Sequence, residues 1–153
     1  MYTYVIIDDE PLIRRGTKKK LEPLSHLLTC CGEASDGREG LELVRQLKPD
    51  IVILDMQMPV MDGTELLPAL SEEFPSTALI VISGFQNFDY MKQAISSKVI
   101  DYILKPFSKD EIQQTVLKTI DSLKDKEAED HHLTSMVQEK EEAFYSLDLK
   151  LLT

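Results

Sequence analysis

Tryptophan is absent from this chain, cysteine occurs twice, glycine six times, and Lys and Arg together number 17 against 27 Asp and Glu. Each scarcity excludes something. The shortage of basic residues leaves a formal net charge of −10, which argues against a nucleic-acid-binding surface on this piece, because such binding rests on neutralising phosphates with Lys and Arg. Cys30 and Cys31 are neighbours in a run that reads as a strand, so their side chains point to opposite faces and cannot easily bridge each other. They read as ordinary buried thiols of a reducing compartment. No apolar stretch approaches the roughly 20 residues that cross a bilayer, and the N-terminus lacks a basic region followed by an apolar one. The chain therefore reads as cytoplasmic, with no membrane partner. Repeats and low-complexity tracts are missing too, and 153 residues suffice for one domain with a sizeable core and an appendage.

What is present is alternation. Short β-branched runs near residues 3 to 8, 28 to 34, 50 to 55, 78 to 83 and 101 to 105 read as buried parallel strands. Between them Pro11 to Leu24, Gly37 to Leu47, Gly63 to Phe74 and Asn87 to Ser97 carry apolar residues at helical spacing, as in Leu41, Val44 and Leu47. Pro11 suits a first helical turn, and Asp36-Gly37, Lys48-Pro49, Asp62-Gly63 and Phe74-Pro75 punctuate the units. Such a βαβ series closes as an α/β doubly wound sandwich with right-handed crossovers.

In that architecture ligands bind at the carboxyl ends of the strands. Charged residues stand at those ends: Asp8, Asp9 and Glu10 after Val5-Ile6-Ile7, Asp55 after Ile53-Leu54, and Lys105-Pro106 after Ile103-Leu104. The fold brings Asp8, Asp9 and Asp55 together, and three carboxylates repel one another unless a cation intervenes. Oxygen ligands in a small site that retains water favour Mg²⁺. One carboxylate could then attack phosphorus as a nucleophile. The plainer alternative for Asp8 and Asp9 is a cap before Pro11, which accounts for one aspartate and not two. Lys105 can reach the same edge as a point charge for phosphate or for Asp55. Ser83 ends the fourth run, where its hydroxyl could donate to a phosphoryl oxygen while Gly84 leaves room; the alternative is a serine that simply opens a loop.

These pieces in this order closely resemble the receiver domain of two-component response regulators: Val5-Ile6-Ile7-Asp8-Asp9-Glu10, Leu54-Asp55-Met56-Gln57-Met58-Pro59, Met61-Asp62-Gly63, Ile82-Ser83-Gly84 and Tyr102-Ile103-Leu104-Lys105-Pro106-Phe107. The match spans about Tyr2 to Lys124, which sets a receiver domain at 1–124 and a helical extension at 125–153. The resemblance implies a flavodoxin-like sheet of order 2-1-3-4-5, with Asp55 as phosphoacceptor. Asp8, Asp9, Asp55 and the backbone carbonyl of Gln57 would hold Mg²⁺, Ser83 would bind the phosphoryl group, Lys105 would pair with it, and the peptide before Pro106 would be cis. It implies a switch through Ser83 and Tyr102 that reports at the fourth helix, fifth strand and fifth helix; the alternative is that Tyr102 is a static, half-buried strand aromatic. Gln57 and Phe85 occupy positions that border the phosphoryl group.

Ser83-Gly84-Phe85, Phe88-Asp89-Tyr90 and Val99-Ile100-Asp101-Tyr102 look like the receivers joined to AraC-type helix-turn-helix domains. That implies a sensor histidine kinase as partner, a homodimer on phosphorylation, and contact with DNA only through a C-terminal domain absent here. The alternative is a stand-alone adaptor that controls a protein partner. Lys98 departs from the subgroup, which commonly has glycine before the fifth strand. A haloacid-dehalogenase-like phosphatase would need a second aspartate where Gln57 stands.

Residues 125–153 hold eight acidic and three basic residues and neither Gly nor Pro. Ile112, Val116, Thr119, Leu123, Lys126, Asp130, Leu133, Val137, Lys140, Phe144, Leu147 and Leu151 follow the spacing of a heptad seam interrupted at Lys126 and Asp130. This reads either as a signalling coiled coil or as a solvated helical linker. His131 and His132 have no companion ligands and read as solvated imidazoles.

Overall fold

A computed structural model describes residues 1–84 and 86–128. The chain divides into two units, Met1–Thr119 and Ile120–Thr153, and the site lies in the first. Five strands, β1 (Tyr2–Ile7), β2 (Leu28–Ala34), β3 (Ile51–Leu54), β4 (Ala78–Ser83) and β5 (Asp101–Leu104), alternate with the helices α1 (Pro11–Leu21), α2 (Gly37–Leu47), α3 (Gly63–Glu73) and α4 (Phe88–Ser96). A fifth helix, α5, begins at residue 109. The strands pair in parallel in the order β2-β1-β3-β4-β5, the expected one.

Burial follows position in the sheet. Every residue of the inner strands β3 and β4 is buried, because helices cover both faces of a doubly wound sheet and leave an inner strand no solvated side. Val5, Ile7, Val52, Leu54, Leu79 and Val81 meet Leu41, Val44, Leu66, Leu67 and Leu70 in one apolar layer. The edge strand β2 is buried only in part, and this corrects the reading of its thiols. Cys31 is exposed and Cys30 half-buried, both free, since a strand at the sheet's margin has a neighbour on one side only.

Local chemistry sets the element ends. Asp36, Asp62 and Asn87 each accept hydrogen bonds from first-turn amides of the helix they precede, which satisfies donors that have no intrahelical partner. Helix α1 stops at Leu21, earlier than its apolar pattern suggests, and a 3-10 turn with Pro23 inside it takes over. Lys98, in the turn between α4 and β5 where the resembled subgroup commonly has glycine, has a left-handed backbone with φ of 57°. That conformation crowds a Cβ against the following carbonyl oxygen, which explains the glycine.

In α5, Ile112, Val116 and Thr119 are fully buried. They belong to the core of the first unit rather than to an open seam. The seam positions from Asp130 onward, with His131 and His132, lie outside the described residues, as does Phe85.

Candidate functional site

The register of the sheet assembles the site. Ile7 lies opposite Leu54 in the β1–β3 ladder, so the next residues, Asp8 and Asp55, leave adjacent strands at one level. Ser83 lies opposite Leu104 in the β4–β5 ladder, which puts Lys105 just past it. Asp8, Asp55 and Lys105 thus stand one residue beyond their strands, their backbone amides still tied to Ala34, Ile7 and Ser83. The strand fixes the main chain and frees the side chain.

Lys105 joins the two carboxylates. Its Nζ donates to Asp8 Oδ2 at 2.9 Å and to Asp55 Oδ2 at 3.0 Å, and lies 3.6 Å from Glu10 Oε1. The remaining oxygens are also placed. Asp8 Oδ1 accepts from the Glu10 amide at 2.9 Å, and Asp55 Oδ1 accepts from the Met56 amide at 2.7 Å. Asp8 thus holds the Glu10 amide with one oxygen and offers the second to Lys105, a turn bond and not the helix cap of the plainer alternative. Helix α1 itself has Glu10 as N-cap with no side-chain cap bond.

Burial and charge work against each other here. Burial pushes the Asp55 carboxyl upward and the neighbouring Asp8 adds to this, while Lys105 pulls it back; the balance is raised. For Lys105 burial lowers the ammonium, and the bonds to Asp8 and Asp55 outweigh it, leaving it above its ordinary value. An ammonium held charged between two carboxylates is suited to meeting a further anionic group.

The acidic groups fit a hard cation. One oxygen from each of Asp8, Asp9, Glu10 and Asp55 lies within 4.8 Å of the others. The donors are all carboxylate oxygens, two from buried and two from exposed residues, with an open side for water, as Mg²⁺ prefers. Glu10 joins the group although its place in the acidic run alone assigned it no role. Gln57 is exposed beside this group.

Ser83 is fully buried, and Tyr102, half-buried, is in hydrogen-bond contact with it. Burial raises the Tyr102 phenol and the Ser83 contact partly offsets this. A Cβ added at Gly84 would meet nothing within 4 Å. The Lys105–Pro106 peptide is cis. Arg14, which sequence reasoning passed over, donates from Nη1 to the backbone carbonyl of Asp8 at 2.6 Å.

A parallel sheet of this order, with acids and a lysine meeting at its carboxyl edge, defines a class of protein that known relatives share. Residues 4–117 match the response regulator receiver domain, and the chain belongs to that family. Among curated proteins it is 38% identical over 124 residues to the transcriptional regulatory protein YesN of Bacillus subtilis, covering 81% of this chain and 34% of that one. It is 39% identical over 106 residues to a response regulatory protein of Staphylococcus epidermidis, covering 69% of this chain and 41% of that one. The receiver domain of AraT from Geobacillus stearothermophilus superposes with a TM-score of 0.77 at 33% identity, over 82% of this chain and 98% of that one. The chain thus spans well under half the length of these curated relatives.

Proposed function

We propose that this receiver accepts a phosphoryl group on Asp55 from a sensor histidine kinase in the cytoplasm, and that the modification controls self-association and the output of an attached DNA-binding domain. The observation that carries this reading is the Lys105 ammonium held between the Asp8 and Asp55 carboxylates. Asp8, Asp9, Asp55 and the Gln57 carbonyl would hold Mg²⁺, which when bound supplies positive charge to the incoming phosphoryl oxygens. Asp55 Oδ2 attacks phosphorus as the bond from phosphorus to the donor's imidazole nitrogen breaks, giving an acyl phosphate on Asp55 and returning the electron pair to the imidazole. Lys105 shifts from the carboxylate to a phosphoryl oxygen and keeps its bond to Asp8.

Ser83 then has a stronger acceptor than Tyr102. A phosphoryl dianion within reach draws the serine hydroxyl, the Ser83–Tyr102 contact is exchanged, and the change passes along β5 to the surface it shares with α4. That surface is apolar where solvent would favour polar residues: Phe88 is 79% exposed, Ile95 76% and Leu104 40%. A second copy of the chain covering it would remove this area from water. The stand-alone adaptor finds less support, since YesN is a longer protein named a transcriptional regulator.

Asp9→Ala tests the metal-dependent chemistry. It should abolish Mg²⁺-dependent phosphorylation by a small-molecule phosphodonor, read by phosphate-affinity electrophoresis, and leave the circular dichroism spectrum unchanged. Normal uptake by the variant would remove the metal from the mechanism.

A further inference from the structure

We propose that Arg14 is a positioning residue for the cation site, holding the Asp8 backbone through a brace anchored on the edge strand β2. This inference rests on the Mg²⁺-binding reading of the acidic cluster. The β1 ladder ends at Ile7, so the carbonyl of Asp8 lies past regular strand pairing. Arg14 Nη1 takes it at 2.6 Å, a short charge-assisted bond of the stronger kind. The guanidinium is held in turn by Glu33 on β2, with Nε 3.3 Å from Oε1. The other Glu33 oxygen receives Lys18 Nζ at 2.7 Å. Glu33, Arg14 and Asp8 thus form a relay from β2 through α1 to a proposed metal ligand, and the Arg14 side chain at the middle is only 17% exposed.

The consequence for binding has a sign that separates two roles. A guanidinium bonded to the backbone of a proposed cation ligand repels a cation, so if Arg14 acted through its charge alone, removing it would tighten Mg²⁺ binding. If Arg14 instead fixes the turn that aims Asp8 and Asp9, removal leaves the carboxylates to spread apart under their own repulsion and weakens binding. Groups that orient metal ligands from outside are worth about 10- to 100-fold in metal affinity. Glu33 offsets one of the two positive charges of Arg14 and Lys18, which weakens the charge effect of Arg14 relative to its positioning of the turn.

The test is a titration with Mg²⁺ alone on the full chain, followed by the NMR shifts of the Asp8, Asp9 and Glu10 amides, for wild type, Arg14→Ala and Arg14→Lys. The expected result is about tenfold weaker binding for Arg14→Ala, with Arg14→Lys, which retains one donor and the charge, falling between it and wild type. In the metal-free protein the Glu10 amide, held by Asp8 Oδ1, should exchange with solvent faster in Arg14→Ala. Equal or tighter binding in Arg14→Ala, or unchanged Glu10 exchange, would overturn the positioning role while leaving Mg²⁺ binding intact. A wild type that does not bind Mg²⁺ would overturn both.

Discussion

Asp55, the proposed acceptor, illustrates how a buried charged residue carries its own cost. Its folded-state pKa is raised, chiefly by burial, so between its unfolded and folded values the native state binds more protons than the unfolded one. Stability therefore falls as pH rises through that window, and at neutral pH the ionised carboxylate is a net burden. Asp55→Asn keeps the shape and removes the charge; it should melt above wild type at pH 7, with the gap closing at acid pH in parallel thermal scans. A lower melting temperature across the whole range would mean that the Lys105 bond outweighs burial. Lys98 carries a different cost. Relief of its left-handed backbone in Lys98→Gly should stabilise the protein by about 1 kcal/mol, read by urea unfolding, and a loss of stability would refute the strain. The aspartates and Lys105 were legible because they end apolar runs. Arg14 was not, because its contact with the Asp8 carbonyl depends on how α1 lies against the end of β1, which no spacing encodes.

At the scale of elements, the strands were readable to within a residue. At their C-terminal ends the runs read as 3 to 8, 50 to 55 and 101 to 105 stop at Ile7, Leu54 and Leu104, where the side chains of Asp8, Asp55 and Lys105 turn toward one another, and at their starts β1 begins at Tyr2 and β3 at Ile51. The thiols of β2 were misjudged because composition does not distinguish an edge strand from a central one. The β3–α3 connection shows why the position of Asp55, the proposed acceptor, is stiff. A Cβ at Gly63 would lie 2.4 Å from Met56 Sδ and 2.7 Å from Met56 Cα, so Gly63→Ala must displace the residue that follows Asp55. Overpacking of this kind costs about 1–3 kcal/mol. We expect that loss in chemical denaturation together with slower phosphorylation, whereas wild-type stability would show that Met56 yields freely.

For the whole molecule, alternation of strands and helices was enough to specify the α/β class, while the sheet order came from family resemblance and was met by the structure. The heptad pattern was less faithful. Its first members, Ile112, Val116 and Thr119, are core residues of the first unit, since a helix packed on a sheet and a coiled-coil helix present similar apolar spacing. The remaining members carry a prediction of their own: deleting residues 125–153 should weaken self-association in sedimentation velocity, and an unchanged distribution would leave that segment a linker. The proposed self-association through α4 and β5 is a separate matter, which Ile95→Asp should reduce without affecting phosphorylation.

The most direct measurement is the intact mass of the chain and of Asp55→Asn after incubation with Mg²⁺ and a small-molecule phosphodonor. A single phosphoryl adduct on the wild type, lost in the variant and prevented by chelation of the metal, is the predicted result. An adduct that persists in Asp55→Asn, or its absence from both proteins, would contradict Asp55 as the acceptor.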